Sequence, residues 1–481
     1  MGKDNIGSQV ASGALWMFAE RIGAQLISFV VSTAIARFTA PEHYGTIALI
    51  NVFITFANLF VVSGFGSALI QKKDAGSVDF SSVFYTNLVF SIAIYAVLFL
   101  SAPLIAKVYN SPEVVLIIRI LGFRIILASV NTIQHAYVSK TMQFRKFFWS
   151  TIIGTLISGV VGFALAFYGY GVWALVAQYM TNTLIDTIVL FITTKWRPTL
   201  EFSWTRVKEL VSYAWKLLVS ELINTTYIEV RALVIGLKYS SADLAYYNRG
   251  QSLPKLVSDN INSAMQSVLF PAMSKKQDDI EAFKTMAKRS IQVAGYTIMP
   301  MVLGLGLVAE PLIRLLLTET WISCVPYLQL FCLFYCLKPA QSAGLQVIRA
   351  SGRSDIYLKQ EIIKKLVGFV AILASIPFGP LAICAVSVIV HIFETLLTSF
   401  ATKRILGYPV IEQFKDIFIG FIPLFCMSAV VILIGFLPIG DFAMICLQAS
   451  MGAMVYLGVS VVTKNDAFAY SLTVARGFLK K

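Results

Sequence analysis

The sequence predicts an all-α polytopic membrane protein of about fourteen transmembrane helices, built as two six-helix lobes in parallel pseudo-repeat followed by two C-terminal helices. Three observations carry that expectation. Hydrophobic residues are 57% of the 481 and charged residues only 13%, with a mean hydropathy of +0.76, whereas a soluble chain carries roughly 25% charge. Fourteen apolar stretches fill most of the chain, each near the roughly 20 residues that cross about 30 Å of hydrocarbon. Lys and Arg crowd into every second gap between those stretches.

In order, the stretches cover 11–36, 44–69, 81–106, 112–137, 147–168, 172–194, 211–236, 244–271, 290–317, 324–348, 356–378, 380–402, 415–437 and 441–463. The first, fourth, seventh and eighth are the least apolar, and hydropathy alone would miss the eighth. The basic residues restore it. Alternate gaps, counted with Lys359 and Lys415 at the edges of the adjoining stretches, hold 25 of the 39 Lys and Arg, while the others hold only Arg37, Lys107 and Lys238. This positive-inside bias predicts cytoplasmic termini, and omitting the eighth stretch would invert every later loop. The first stretch is too long, after too short a polar start, for a cleavable leader. Trp149, Trp173, Trp196 and Trp204 fall near expected interfaces, as aromatic belts do.

The net charge of +14 follows from the loop bias, aided by anionic lipid headgroups. No basic domain stands outside the membrane, so no nucleic-acid partner is expected. The six cysteines lie in or beside late stretches. Cys332 and Cys336 share a helix face, but neither His nor a further Cys completes a metal set. Packing is the reading for these thiols, with no metal and no cofactor.

Residues 1–196 make an N-terminal lobe, 197–210 a cytoplasmic connector and 211–404 a C-terminal lobe; 405–481 add two helices and a tail. A short echo at an offset of about 200 residues relates "SGALW" (12–16) to "SYAWK" (212–216) and "APEHYG" (40–45) to "SSADLAY" (240–246). Six intervening stretches make such a repeat parallel, with its ligand site between the halves. The longest cytoplasmic loop, 274–290, reads as an amphipathic surface helix.

A charge at the centre of a membrane helix costs about 2.5–3.5 kcal/mol on insertion scales. The charges inside these stretches therefore need partners or water. Glu20, Arg21, Gln25, Ser28 and Ser32 of the first stretch share an arc of about 140° at helical spacing. Arg119, Arg124, Asn131, Gln134 and His135 do so in the fourth. Glu221, Asn224, Thr225 and Glu229 line one side of the seventh, with Arg231 nearby. Arg249, Ser252, Lys255, Asp259, Asn262, Ser263 and Gln266 share one side of the eighth. These stripes should face a cavity. The blander alternative for Lys255 and Asp259 is mutual neutralisation at i, i+4. Arginine suits phosphate because its planar fork donates paired hydrogen bonds. The amides and hydroxyls suit a hydroxyl-rich cargo. The substrate-cavity candidates are thus Arg21, Arg124, Arg249, Lys255, Gln25, Asn131, Asn224 and Asn262. Glu20, Glu221, Glu229 and Asp259 are candidates for coupling to a proton or sodium ion.

Several longer stretches resemble a known family. They are "SGALWMFAERIGAQLISFVVSTAIARFTAPEHYG" (12–45), "GFGSALIQKKDAGSVDFSSVFYTNLVFS" (64–91), "APLIAKVYNSPEV" (102–114), "GYGVWALVAQ" (169–178), "LAYYNRGQSLP" (244–254) and "SVLFPAMSKKQDD" (267–279). The chain resembles the polysaccharide transporter family of the multidrug/oligosaccharidyl-lipid/polysaccharide exporter superfamily, and within it flippases of the colanic acid and teichuronic acid type. The likeness covers the first 280 residues well and the remainder mainly in span pattern. Ala245 stands where a glycine is expected before the paired tyrosines.

The resemblance implies a cavity between two lobes and a cargo of undecaprenyl-diphosphate-linked oligosaccharide. That cargo would move from the inner to the outer leaflet of the bacterial cytoplasmic membrane, for O-antigen, capsule or exopolysaccharide. It implies that Arg21, Arg249 and Lys255 meet the diphosphate, and that a polysaccharide polymerase or export machinery works alongside. A cation-coupled multidrug antiporter of the same fold is the alternative, although four basic residues in the stripes disfavour a cationic drug. A membrane polysaccharide polymerase is a further one. It would need a long outer loop carrying catalytic residues, and the outer gaps are short. No P-loop appears, so the chain is expected not to be an enzyme.

Overall fold

The computed structural model describes residues 3–62, 64–109, 111–274 and 279–469. Lys275, Lys276, Arg476, Lys480 and Lys481 of the basic loops and tail lie outside them. Among the described residues the regular structure is helical, with no strand. The helices of the first half are α1 (Lys3–Ala36), α2 (Pro41–Val62), α3 (Phe65–Gln71), α4 (Ser77–Val108), α5 (Glu113–Gly122), α6 (Arg124–Lys140), α7 (Arg145–Phe167) and α8 (Val172–Thr193). Then come α9 (Trp204–Lys238), α10 (Ser241–Ser274), α11 (Ile280–Leu307), α12 (Ala309–Leu317), α13 (Val325–Ala350), α14 (Ser354–Ser375), α15 (Pro380–Leu406), α16 (Val410–Ile417), α17 (Phe421–Ile434) and α18 (Asp441–Val462). By contacts the chain forms two compact units, Met1–Ala245 and Tyr246–Lys481.

Each apolar stretch is helical, some as a broken pair. The second divides into α2 and α3 at Gly64, whose φ of 99° suits glycine and whose added Cβ would lie 2.7 Å from Ala214. Ten helical stretches among the described residues are long and apolar enough to cross a membrane, so the chain is a multi-pass membrane protein. The first has the lowest mean hydropathy of the ten, 1.2. The remaining stretches form α5–α6, α9, α10 and α14. The last of these was not expected to be weak; Asp355, Lys359, Glu361, Lys364 and Lys365 lower its hydropathy.

Helix order repeats along the chain. The starts of α1 and α9, α2 and α10, α4 and α11, α7 and α14, and α8 and α15 are offset by about 200 residues. Packing is close at small residues, as in membrane bundles generally. Gly45 of α2 lies against the backbone of Ser241 at the start of α10, where a Cβ would overlap it. Gly295 of α11 meets the Ile417 carbonyl in the same manner.

Two expectations change here. Among the described residues of 274–290 no separate surface helix forms: Ile280 begins α11, and its Phe283, Ala287 and Ile291 are buried in the core of their unit. Three apolar residues at i, i+4 and i+8 make one buried stripe, so the segment's basic residues ride on a core helix. Trp196 is also buried, in a cluster with Phe80, Phe84 and Tyr137 rather than in an interfacial belt.

Next to Trp196 the connector is stitched to the start of α4. Asp79, fully buried, accepts from the Gly76 amide at 2.9 Å and from Arg206 at 2.7 Å, and Lys72 lies at 3.1 Å. Lys72 also donates to Glu209 at 2.8 Å, a bond that raises its pKa above the ordinary lysine value. The Thr199 and Ser203 amides donate to the hydroxyls of Ser81 and Ser82, each at 2.9 Å. Most polar groups of this segment thus find local partners despite their burial.

Candidate functional site

In the first unit, α6 and α8 bring polar side chains together. Both helices present them on one face because the residues recur at three- and four-residue spacing. Arg124 donates from Nε to Thr183 Oγ1 at 2.9 Å and lies over the Tyr179 ring at 5.2 Å. Asn131 donates from Nδ2 to Asp186 Oδ2 at 2.5 Å. His135 Nε2 stands 4.0 Å from the same carboxylate oxygen, and its ring stacks on Phe147 at 4.5 Å. Asn131, His135, Thr183 and Asp186 line an open-sided cleft of about 460 Å³ with Ser67, Ser139 and Asn182; Arg124 stands behind Thr183.

A second cleft, of about 570 Å³, shares Val62 and Ser67 with the first. It is lined by Glu221 and Ser220 of α9 and by Thr55 and Asn58 of α2. Glu221 is exposed and Asn224 half-buried; Glu229 is half-buried, and Arg231 lies over Tyr227 at 5.1 Å. On α1, Arg21 is exposed, while Glu20 and Gln25 are half-buried. Of the candidates in the first unit, Asn131 therefore lines one cleft and Glu221 the adjoining one, while Arg124 only bonds to a residue of the first cleft's lining.

In the second unit the α10 candidates separate. Arg249 lies 5.8 Å over the ring of the buried Trp321, a cation–π placement. Asn262 is buried and Lys255 exposed. Asp259 accepts from Lys338 Nζ at 2.6 Å. The i, i+4 pairing of Asp259 with Lys255 is thus replaced by a long-range pair with α13, since Lys255 turns outward.

Lys338 belongs to a larger cluster that the stripes did not reveal. Gln341 donates to Glu394 Oε2 at 3.1 Å, and His391 Nδ1 lies 3.4 Å from that oxygen. The His391 ring stacks on Phe334 at 4.2 Å. Lys364, only 4% exposed, adds its charge from α14. Asp186, Glu394 and Lys338 each stand in a largely apolar helix, so none forms a stripe. The available signal was the isolated charge itself, given its cost in hydrocarbon. The thiol of Cys332 packs 3.4 Å from where a Cβ on Gly306 would sit, in keeping with a packing role.

The chain is similar to transport proteins of surface polysaccharide synthesis. It is 25% identical over 341 residues to the succinoglycan biosynthesis transport protein ExoT of Rhizobium meliloti, covering 71% of this chain and 69% of that one. It is 24% identical over 413 residues to the lipopolysaccharide biosynthesis protein WzxC of Escherichia coli, covering 84% and 83%. In fold it is similar to the lipid II flippase MurJ in an inward closed conformation, with a TM-score of 0.75 at 15% identity, covering 95% of this chain and 99% of that one. The family described as polysaccharide biosynthesis protein matches residues 34–326, more than half of the length, and the chain belongs to that family.

Proposed function

We propose that the protein is a flippase that carries an undecaprenyl-diphosphate-linked oligosaccharide from the inner to the outer leaflet of the bacterial cytoplasmic membrane, for surface polysaccharide. One observation carries the reading. Membrane helices of a chain similar to polysaccharide transport proteins hold Asn and carboxylate side chains along open clefts, with Arg124 bonded to the Thr183 hydroxyl of one of them. An oligosaccharide head group cannot cross hydrocarbon unaided, because each unsatisfied polar group there costs several kcal/mol. The polyprenyl tail has no such barrier and stays in lipid. The lobes 1–196 and 211–404 rock about the head group, which changes sides while held. Fourteen spans, with both termini cytoplasmic, frame that motion.

In this reading Arg21, Arg249 and Lys255 meet the diphosphate, while Arg124, Gln25, Asn131, Asn224 and Asn262 meet the sugars. Glu20, Glu221, Glu229 and Asp259 are the coupling candidates for a proton or sodium ion. Asp259 already answers Lys338, so neutralising it would release a cation toward an anionic cargo. Membrane potential, negative inside, also favours outward movement of an anionic head group. A polymerase would consume the product on the outer side.

Deleting the gene should trap lipid-linked repeat units in the inner leaflet, seen by lipid analysis. Unchanged lipids would refute the function. Arg21→Ala and Arg249→Ala should abolish surface polysaccharide while the protein still inserts. Normal export in both would remove the diphosphate assignment.

A further inference from the structure

We propose that the cleft framed by α3, α6 and α8 is a subsite for one pyranose ring, with Asp186 and Asn131 reading its hydroxyls. The proposal rests on the flippase reading for the source of the sugar, and on the cleft alone for its chemistry. The volume, about 460 Å³, falls in the roughly 300–1,000 Å³ range of small-molecule sites.

The lining suits hydroxyls. A hydroxyl both donates and accepts, so a site that reads it needs both kinds of partner. Asp186 accepts. Asn131 and Asn182 do both, and so do Ser67, Ser139 and Thr183. Asp186 Oδ1 and Asn131 Oδ1 are buried acceptors, and the Ser150 hydroxyl lies beside the Asp186 carboxylate. The other Asp186 oxygen is oriented by Asn131 at 2.5 Å. Arg124 holds the Thr183 hydroxyl at 2.9 Å, and Phe147 fixes the His135 ring by stacking. Asp186 and His135 remain reachable, at 20% and 43% side-chain exposure.

A metal cation fits less well. A calcium-sized ion takes oxygens that close on it at roughly 2.3–2.6 Å. Here the carboxylate has two nitrogens beside it, Asn131 Nδ2 and His135 Nε2, and one hydroxyl, Ser150, in a cleft open on one side.

Full-length protein in lipid nanodiscs tests this with methyl hexopyranosides (glucoside, galactoside and N-acetylglucosaminide) by saturation-transfer NMR. At least one should bind the wild type and weaken roughly tenfold in Asp186→Ala, the order of a lost charge-assisted hydrogen bond. Ser67→Trp, which fills the cleft from α3 and leaves the carboxylate itself in place, should abolish the signal in protein that unfolds at the wild-type temperature. No glycoside binding to the folded wild type, binding indifferent to both variants, or competitive displacement by sodium at fixed ionic strength would each overturn the subsite. A second arm compares undecaprenyl diphosphate with and without a linked hexose. The sugar should add roughly tenfold in affinity, and Asp186→Ala should erase that gain while leaving the bare diphosphate bound. Glycosides that bind while undecaprenyl diphosphate does not would refute the flippase reading and keep the subsite. The converse would refute the subsite and keep the flippase reading.

Discussion

Asp186 and Glu394 occupy matching places in the two units. Each follows the first residue of its helix, Val172 of α8 or Pro380 of α15, at the same spacing. Each accepts from an amide on a neighbouring helix, Asn131 or Gln341. Each has a histidine beside it stacked on a phenylalanine. The difference lies in what completes the set. Asp186 has no Lys or Arg beside it among the described residues and opens to a cleft, whereas Glu394 stands near the buried Lys364 and against His391, which is 3% exposed. One carboxylate stands at an open cleft, and its counterpart is packed between helices among charged neighbours. A duplicated position can thus keep its geometry and exchange its task when a single neighbour changes charge.

Substitutions should separate the two roles. Glu394→Ala takes the shared carboxylate from Gln341 and His391 and leaves the buried Lys364 with Glu361 alone; it should cost about 3 kcal/mol, as removing one partner of a buried ionic cluster does, and chemical unfolding of the purified protein in detergent measures it. Asp79→Asn should cost about 2 kcal/mol, because the Lys72 and Arg206 bonds lose their charge while the Gly76 amide keeps an acceptor. Tyr296→Phe, which removes a 2.8 Å bond to Ser460 in the second unit, should cost about 1 kcal/mol. Asp186→Asn should cost least, under about 0.5 kcal/mol, because it keeps the shape and pairs with no Lys or Arg among the described residues, yet it should lower surface polysaccharide output in a deletion strain. A stability loss equal to that of Glu394→Ala would break the comparison and make Asp186 a structural residue too.

Much of the helical layout was legible in the sequence. Apolar length located the helices, and alternating basic gaps located the eighth stretch, which hydropathy alone discards. The candidate site was legible only where polar residues recur at helical spacing, as Arg124, Asn131 and His135 do on α6. Asp186 escaped because a lone carboxylate leaves no period to detect. The partner of Asp259 escaped for another reason: Lys255 offers the nearer charge in sequence, and only the approach of α13 brings Lys338 within 2.6 Å. Trp196 shows the same limit, since aromatic position along the chain does not say whether a ring faces headgroups or its own core.

The contact between Gly45 and Ser241 has a mechanical consequence. Side-chain contacts can slip by changing rotamer, but a joint made of main chain has no rotamer to change. The starts of α2 and α10 are therefore coupled like two spokes on one hub. Any rearrangement that carries cargo must either turn about that hub or break it, and a methyl group at residue 45 would jam it.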